Sequence, residues 1–324
     1  MKANPKETGA ALLSILLIVA TLSVAAVMAT GVIARQTELQ KLSARRTHAL
    51  WAARSAEAVA LAAAPGLAAA SRLPAPETGE GAARTLTLPL EGGQIVLTLA
   101  PLPPCFNLNS LGNADPTLRA QSMQNFEILL TDMGVPEGDA ERVSAILADW
   151  IDADSVPLPL GGEDAAYLVQ GGGFRAASQP LLSPAELAPL PGVTPDLRRA
   201  LAALACTLED ADPARLNMNA LTSGTAPVLR AATGGRLSLA DARRLVEARP
   251  AAGWPDVQAV RAAAARLPGG GEALAGLPLD VRNKHFTGAG TVGLDAGSWP
   301  FRFLLRAGDG TPPVILWRSF GDAA

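Results

Sequence analysis

The chain has 324 residues, which is long enough for two or three compact units at roughly 150 residues per domain. Its formal net charge is −3, so it lacks the general basic surface expected of a nucleic-acid-binding protein. The sequence has two cysteines, Cys105 and Cys206, without a CxxC pair, and two histidines, His48 and His285, far apart in the chain. A zinc site or a Cys–His nucleophile is therefore poorly supported.

The N-terminus consists of a short polar segment followed by a long apolar one. Residues 2–9 include two lysines, and residues 10–34 contain no charged side chain. As a helix, the apolar run would extend about 37 Å, enough to cross a hydrocarbon core of roughly 30 Å. Because the apolar region of a secretory signal peptide is shorter, the run predicts a membrane anchor instead.

Two kinds of anchor fit this pattern. One is a plain signal anchor, and the other follows a leader that a cytoplasmic peptidase cuts before the apolar helix. Gly9, followed by Ala10 and an uninterrupted apolar run, fits the second kind. The sequence then predicts a leader at residues 1–9 and a mature chain that begins at Ala10.

The helical pattern continues beyond the apolar run. Residues 35–64 are rich in helix formers, with apolar side chains at near-helical spacing. Pro65 and Gly66 predict the end of the helix. The sequence therefore predicts one transmembrane and stalk helix over residues 10–64.

Alternating apolar residues predict β-strands at both ends of the remaining body. Residues 85–90 and 95–99 flank a turn and predict a β-hairpin. Three more strands are predicted near the C-terminus, at 285–294, 299–308 and 312–320. Helical patterns lie between the two β regions, so the sequence predicts an α+β fold in which a large helical insertion separates strands of one sheet.

The insertion has a weak internal duplication. FNLNSL at 106–111 and LNMNAL at 216–221 each precede a helical stretch, the first of which covers about 116–149. Residues 182–205 and 237–267 are each predicted to form a helix–turn–helix of the helix–hairpin–helix, or SAM-like, type. Such units often bind nucleic acid through the backbone of the hairpin.

The charge near the first hairpin argues against that use. The hairpin segment at 191–196 has Arg198 and Arg199 as its nearby positive pair and offers little positive charge of its own. Packing against protein is the favoured interpretation, and no nucleic acid is expected as a partner.

Five carboxylates lie close together in the middle of the chain: Asp149, Asp152, Asp154, Glu163 and Asp164. Pro157 and Pro159 exclude a continuous helix, so the chain must turn back and can bring the two acidic groups together. Oxygen ligands of this kind suit Ca²⁺. The alternatives are a solvated acidic loop with helix-capping carboxylates and, with no sugar-binding residues nearby, a glycosidase-like carboxylate pair.

The two cysteines leave two interpretations open. If the chain is exported to an oxidising compartment, Cys105 and Cys206 can form a disulfide that closes a loop of about 100 residues, worth on the order of 4–5 kcal/mol in the chain-entropy model. Otherwise they are free buried thiols.

Four segments together give the sequence a family resemblance. They are the Gly9–Ala10 leader, CFNLNSL at 105–111, DWIDADSVPLPLGGEDAAYL at 149–168, and LNMNAL at 216–221. With these segments the chain resembles the minor pseudopilins of type II secretion, and specifically the protein K family. The resemblance covers most of the chain.

The resemblance implies a particular architecture. A pilin-like α/β head would be formed by residues 65–105 and 281–324. The helical insertion, residues 106–280, would contain two SAM-like units at about 106–212 and 213–280.

The resemblance also implies sites and partners. It implies calcium sites in the body, and the motif at 149–168 places the candidate ligands at Asp152, Asp154, Glu163 and Asp164. Other minor pseudopilins, proteins I and J, are the implied partners, and prepilin peptidase would cut before Ala10 and methylate it. The chain would cross the bacterial inner membrane once, with a cytoplasmic N-terminus and a periplasmic body, and would have no catalytic centre.

Ser14 departs from the general pilin pattern. It would be the fifth residue of the mature chain, where most pilin-like subunits have Glu to neutralise the N-terminal ammonium of a neighbouring subunit. The protein K family shares this departure, which suits a subunit at the tip of the filament. The alternative for Ser14 is a tolerated small polar residue in the anchor.

Three alternatives remain for the function of the whole chain. They are a minor pilin of a type IV pilus, an anchored helix–hairpin–helix nucleic-acid-binding protein, and an anchored periplasmic hydrolase.

Overall fold

The computed structural model describes residues 5–70, 83–169, 174–294, 297–308 and 310–321. It divides into two compact units, Met1–Ala52 and Ala53–Ala324. The helices of the described ranges are α1 Pro5–Ala70, α2 Pro116–Asp132, α3 Glu137–Ile151, α4 Asp164–Val169, α5 Pro195–Leu204, α6 Ala226–Ala232, α7 Leu239–Glu247, α8 Val257–Ala264 and α9 Gly270–Ala273. Short 3₁₀-helices cover Leu108–Gly112 and Pro184–Leu187.

The strands follow the predicted division into an early and a late β region. They are β1 Arg84–Leu90, β2 Gly93–Pro101, β3 Phe106–Asn107, β4 Ala205–Cys206, β5 Leu216–Asn217, β6 Leu279–Asp280, β7 His285–Leu294, β8 Gly297–Gly308 and β9 Thr311–Phe320. Five of them form an antiparallel sheet in the order β1-β2-β7-β8-β9. The hairpin, the three late strands and the sheet built from distant segments are thereby confirmed.

The first helix is longer than predicted at both ends. It begins at Pro5, so Gly9 and Ala10 lie within it, and it continues through Pro65 to Ala70. The prediction that it ends at residue 64 was therefore wrong. Buried Ala64 and Leu67 lie on either side of Pro65, and packing of this apolar face outweighs the hydrogen bond that proline cannot make.

The part of α1 that follows Ala52 has a buried face and an ion pair to the sheet. Small side chains at helical spacing are buried along this face: Ala53, Ala56, Ala60 and Ala64. Glu57, which is also buried, places Oε1 3.2 Å from Nε of Arg318 in β9. The ion pair joins this end of α1 to the edge strand of the sheet.

The helical stretch predicted at 116–149 consists of two helices, α2 and α3, because Gly134 adopts a left-handed φ of 88° and Pro136 follows it. One helical prediction within the insertion was wrong in detail. In the segment 182–205 the first helix is replaced by a single 3₁₀ turn that begins at Pro184, since Pro189 and Pro191 follow it directly. The helix–turn–helix predicted at 237–267 is confirmed by α7 and α8.

The internal duplication has a structural basis in two short parallel strand pairs. β3 pairs with β4, and β5 pairs with β6. Asn109 follows β3 and donates through Nδ2 to the carbonyl of Leu208, beyond β4, at 2.8 Å. Asn219 follows β5 and donates in the same way to the carbonyl of Val281, beyond β6, at 3.1 Å. We call residues 106–210 and 216–281 the first and second helical units.

A disulfide and an ion cluster join the first helical unit to the sheet. Cys105, just after β2, forms a disulfide with Cys206 in β4. Three residues further on, Glu209 accepts a hydrogen bond from Arg306 of β8 at 2.8 Å, and its other oxygen lies 3.2 Å from Nε2 of His285 at the start of β7. The hydrogen bond with His285, together with the charge of Arg306, lowers the pKa of Glu209 to about 2.

We expect Glu209→Gln to lower the free energy of unfolding at pH 7 by about 1–3 kcal/mol. Because the folded state depresses the pKa of Glu209, its stabilisation is complete above the unfolded-state pKa of about 4.3 and is lost as the pH falls toward 2. The difference between wild type and variant should therefore shrink from pH 4.5 downward. Urea unfolding of the full-length chain in detergent at pH 7, 4.5 and 3 measures it.

Glu247→Gln is the matched control for this experiment. Glu247 is an exposed glutamate at the end of α7. It should change the free energy of unfolding by less than about 0.5 kcal/mol at each pH. A Glu209→Gln effect that is the same at pH 7 and pH 3 would contradict the proposed role of its charge.

Candidate functional site

The acidic loop is organised around Asp149, near the C-terminal end of α3. Its side chain is fully buried, and its carboxylate accepts hydrogen bonds from the backbone N–H of Leu158 at 3.0 and 3.2 Å. Burial raises the pKa of Asp149, and the N–H groups of Leu158 and Gly162 act against that rise. Asp149 thus holds the loop that follows its own helix rather than facing solvent.

Gly161 makes this close wrapping possible. A Cβ at this position would overlap the Oδ2 atom and carboxyl carbon of Asp149. The preceding residue, Leu160, adopts a left-handed φ of 68°, which is uncommon for a branched side chain. The chain reverses tightly here, as Pro157 and Pro159 predicted, and returns the second acidic pair toward the first.

Three carboxylates converge where the loop returns. Asp152, Asp154 and Glu163 each offer an oxygen, and these atoms all lie within 4.8 Å of one another. Asp152 is buried, Glu163 is partly buried and Asp154 is exposed. Oδ1 of Asp152 and Oε1 of Glu163 are buried and have no hydrogen-bond partner among the described residues.

The charges of this group are only partly balanced. Arg119, in α2, lies with Nη1 3.3 Å from Oδ2 of Asp152. Burial and the neighbouring carboxylates Asp154 and Asp149 raise the pKa of Asp152. Burial, followed by repulsion from the same group of carboxylates, also raises the pKa of Glu163. One guanidinium therefore faces several carboxylates that repel one another.

Asp164 is the predicted ligand that the structure does not bring into this group. Its Oδ1 accepts a hydrogen bond from the backbone N–H of Ala176 at 3.0 Å, and its Oδ2 lies 3.5 Å from Nη1 of Arg175. Both oxygens are thus engaged with the segment that follows α4. Asp164 stabilises the far side of the loop.

An aromatic wall lies behind the acidic loop. The rings of Trp150 and Tyr167 meet edge to face at 5.2 Å, and Phe174 packs against both. Burial raises the pKa of Tyr167 to about 12, with contributions from Asp149 and Glu163. The wall excludes water from one side of the carboxylate group, which strengthens the electrostatic interactions within it.

The other predicted site residues lie outside this loop. Gly9, Ala10 and Ser14 are all in α1, and Ser14 is exposed. The segment Leu12–Leu67 of α1 is long and apolar enough to cross a membrane, by length and composition. Cys105 and Cys206 form the disulfide that joins the first helical unit to the sheet.

Sequence reasoning missed two residues that define the site. Arg119 lies 33 residues before its partner Asp152, and no local pattern links them. For Asp149 the sequence suggests a role in capping or orienting the helix that ends near Trp150, and in the structure its carboxylate accepts from the N–H of Leu158 in the loop that follows this helix. Gly161 gave a signal in the Gly161–Gly162 pair after two prolines, but its close approach to Asp149 depends on the fold.

The donor set fits a hard cation. All three converging groups are carboxylates, and no sulfur or imidazole donor belongs to the group. Two of the carboxylate oxygens are buried and have no hydrogen-bond partner among the described residues. Ca²⁺ is bound by oxygen ligands in flexible geometry, with carboxylates from loops of this kind. A bound cation would satisfy the two orphan oxygens and balance the repulsion.

Fold and site together define the class of this protein: a chain with one long apolar N-terminal helix and an α+β body whose sheet is interrupted by two helical units. Models of the family "Type II secretion system (T2SS), protein K" match residues 104–210 and 216–281, which include the two helical units. The chain belongs to the type II secretion system protein K family.

Individual relatives agree with this assignment. The chain is 32% identical over 263 residues to type II secretion system protein K of Klebsiella pneumoniae, covering 79% of each chain. It is 31% identical over 259 residues to the protein of that name from Pseudomonas aeruginosa, covering 76% of this chain and 74% of that one. A chain in the crystal structure of the GspK-GspI-GspJ complex from the enterotoxigenic Escherichia coli type 2 secretion system is similar with a TM-score of 0.71 and 28% identity, over 89% of this chain and 100% of that chain.

We expect Gly161→Ala to destabilise the acidic loop, because the added methyl group would overlap the buried carboxylate of Asp149. The thermal midpoint should fall by several degrees, corresponding to about 1–3 kcal/mol of overpacking. Gly138→Ala, at a helical position where a Cβ meets nothing within 4 Å, is the control and should not lower it. Equal midpoints for the two variants would show that the loop does not need the close approach.

Proposed function

We propose that this chain is a minor pseudopilin at the tip of the type II secretion pseudopilus, with a structural and assembly role in the export of folded proteins. The observation that carries the proposal is the similarity of 89% of the chain to a chain of the GspK-GspI-GspJ complex. Proteins I and J of the same system are the proposed partners. The role needs a scaffold and contact surfaces, and we propose no catalytic activity.

The N-terminal helix supports a filament position. The apolar half of α1 is exposed along its length, with side chains such as Leu13, Leu17 and Val27 more than half exposed. Such a surface needs a lipid or protein environment. We propose that it lies in the inner membrane before assembly, with the body in the periplasm, and packs against other pseudopilin helices afterwards.

Ser14 supports the tip position in particular. A subunit without a carboxylate at this site cannot neutralise the N-terminal ammonium of a subunit added above it, and an unpaired buried charge costs several kcal/mol. Its own ammonium can still pair with a carboxylate of the subunit beneath. This asymmetry favours the last position of the filament.

The N-terminal segment also supports a proposal about how the chain is cleaved. We propose that prepilin peptidase cuts between Gly9 and Ala10 and methylates the new N-terminus. The polar residues 2–9 would then be removed, and the apolar helix would begin the mature chain.

The acidic loop is proposed to bind Ca²⁺ through Asp152, Asp154 and Glu163. Two buried orphan oxygens and the mutual repulsion of the carboxylates support a cation at this position. Asp149, Gly161 and Tyr167 hold the loop in place. The role of the ion would be to stabilise this loop within the first helical unit.

The nucleic-acid alternative has less support. Arg199 pairs with Asp196 on the same turn of α5, so its charge is partly used within the hairpin. Arg198 alone offers little for binding phosphate groups.

Deletion of the gene and complementation in the source bacterium test the proposed function. Wild type should restore secretion, and the mature chain should begin at methylated Ala10 by mass spectrometry. Gly9→Val should block cleavage and secretion, because the bulky side chain occupies the cut site. Gly31→Val changes a glycine of the same helix whose Cβ would meet nothing within 4 Å, and it should retain both functions.

Other outcomes would contradict the proposal. Normal secretion after deletion would exclude a role in export, and a mature start other than Ala10 would exclude the proposed processing. Failure of tagged wild-type protein to copurify with proteins I and J would exclude the proposed partners.

Calcium binding predicts a shift in thermal stability. With 1 mM Ca²⁺ and a dissociation constant about 100-fold lower, the midpoint of the full-length chain in detergent should rise by about 5–10 °C over that with chelator. Glu163→Gln should remove most of this rise. Asp164→Asn should keep it, since Asp164 lies outside the converging group, and equal midpoints with and without chelator for wild type would argue for a solvated acidic loop.

A further inference from the structure

Arg119 contacts the carboxylates of the acidic loop from a different helix. It lies at the end of the first turn of α2, which begins at Pro116 after the N-cap Asp115. A positive charge so close to a helix N-terminus opposes the helix dipole, so α2 itself does not favour an arginine here. The side chain is largely buried, and its Nη1 lies 3.3 Å from Oδ2 of Asp152. The acidic loop, rather than its own helix, therefore explains the position of Arg119.

Asp152 is both the partner of Arg119 and one of the three converging carboxylates. Burial raises the pKa of Asp152 and of Asp149, and the positive charge of Arg119 acts against this rise in both. For Glu163, burial and the surrounding carboxylates raise the pKa, and no basic side chain of the described residues opposes them. The guanidinium thus offsets part of the repulsion in the loop, on the carboxylate that a bound cation would also use.

Two cations on one carboxylate repel each other. A divalent ion held by Asp152, Asp154 and Glu163 would share Asp152 with the guanidinium. At separations of a few ångströms, a unit positive charge weakens the binding of a divalent ion by about tenfold or more, even at the dielectric constant of water. Arg119 therefore favours the loop without an ion and disfavours the loop with one.

We propose that Arg119 is a built-in competitor of the cation, which stabilises the acidic loop while no ion is bound and weakens the binding of Ca²⁺. The inference rests on the calcium site proposed above and adds a residue that sets its affinity. The loop then keeps its fold when calcium is scarce and takes up the ion when calcium is abundant.

A supporting role for Arg119 is the alternative. In that case the guanidinium would hold Asp152 in place for the ion, and its loss would weaken calcium binding. The structure favours competition, because Asp152 is held without Arg119. It is the C-cap of α3, it is 7% exposed, and its backbone N–H donates to the carbonyl of Ala148 at 3.0 Å. The two roles predict opposite changes in affinity when the charge is removed.

Calcium titration of the full-length chain in detergent, in competition with a chromophoric chelator, tests the inference. Arg119→Gln should lower the dissociation constant for Ca²⁺ by at least about tenfold. Arg119→Lys keeps the charge and should bind more like wild type than like Arg119→Gln. Arg175→Gln is the matched control, because Arg175 pairs with Asp164 of the same loop, outside the converging group, and this variant should bind like wild type.

Thermal unfolding supplies a second readout. With chelator, Arg119→Gln should unfold cooperatively a few degrees below wild type, because the carboxylates lose the charge that offsets their repulsion. With saturating Ca²⁺ this gap should narrow, since the ion replaces the lost charge and is bound more tightly than in wild type. A supporting role would leave the gap unchanged or widen it.

The outcomes separate the inference from the calcium site itself. Equal or weaker calcium binding by a folded Arg119→Gln protein would overturn the inference and leave the site intact. Arg119→Lys binding as tightly as Arg119→Gln would also overturn it, since the charge would not be the cause. No binding by wild type or any variant would remove the calcium site and the inference with it, whereas binding by Arg119→Gln alone would show that the guanidinium excludes the ion.

Discussion

Three buried asparagines, Asn107, Asn109 and Asn219, decide where the helical insertion leaves the sheet and where it returns. Asn107 receives the backbone N–H of Leu208 on its Oδ1 and donates through Nδ2 to the carbonyls of Asp210 and Asp212. Asn109 exchanges hydrogen bonds with both backbone groups of Leu181. Since an unpaired buried amide costs about 1–3 kcal/mol, each side chain ties distant backbone segments together at one point.

The second helical unit repeats this hydrogen-bonding arrangement. Asn219 accepts from the N–H of Trp254 at 2.7 Å and donates to the carbonyls of Trp254 and Val281 at 3.1 Å. The unit therefore returns beside its own start, directly before β7. Only with both returns in place can β7 pair with β2 across the whole insertion. The disulfide and the ion cluster of Glu209 then join the first unit to the sheet.

Local patterns were enough to predict most elements of this fold. Period-two alternation identified the hairpin and the three late strands, and the helical spacing at 237–267 identified α7 and α8. The failures were at helix ends. Pro65 did not stop α1, because buried Ala64 and Leu67 keep the last turns packed, and packing energy is not visible in a local pattern. In the segment 182–205, the first predicted helix is replaced by one 3₁₀ turn, after which Pro189 and Pro191 follow.

The sequence by itself determined the supply of carboxylates in the acidic loop, the turn imposed by Pro157 and Pro159, and the long apolar N-terminal helix. It did so because charge, proline geometry and hydropathy belong to residues rather than to their surroundings. Only the tertiary structure decided which carboxylates converge. It buried Asp149 as the anchor of the loop, engaged Asp164 with Arg175, and left Asp152, Asp154 and Glu163 facing one another beside Arg119. Distances of a few ångströms between groups far apart in the chain depend on how the helices pack, and no spacing in the sequence specifies them.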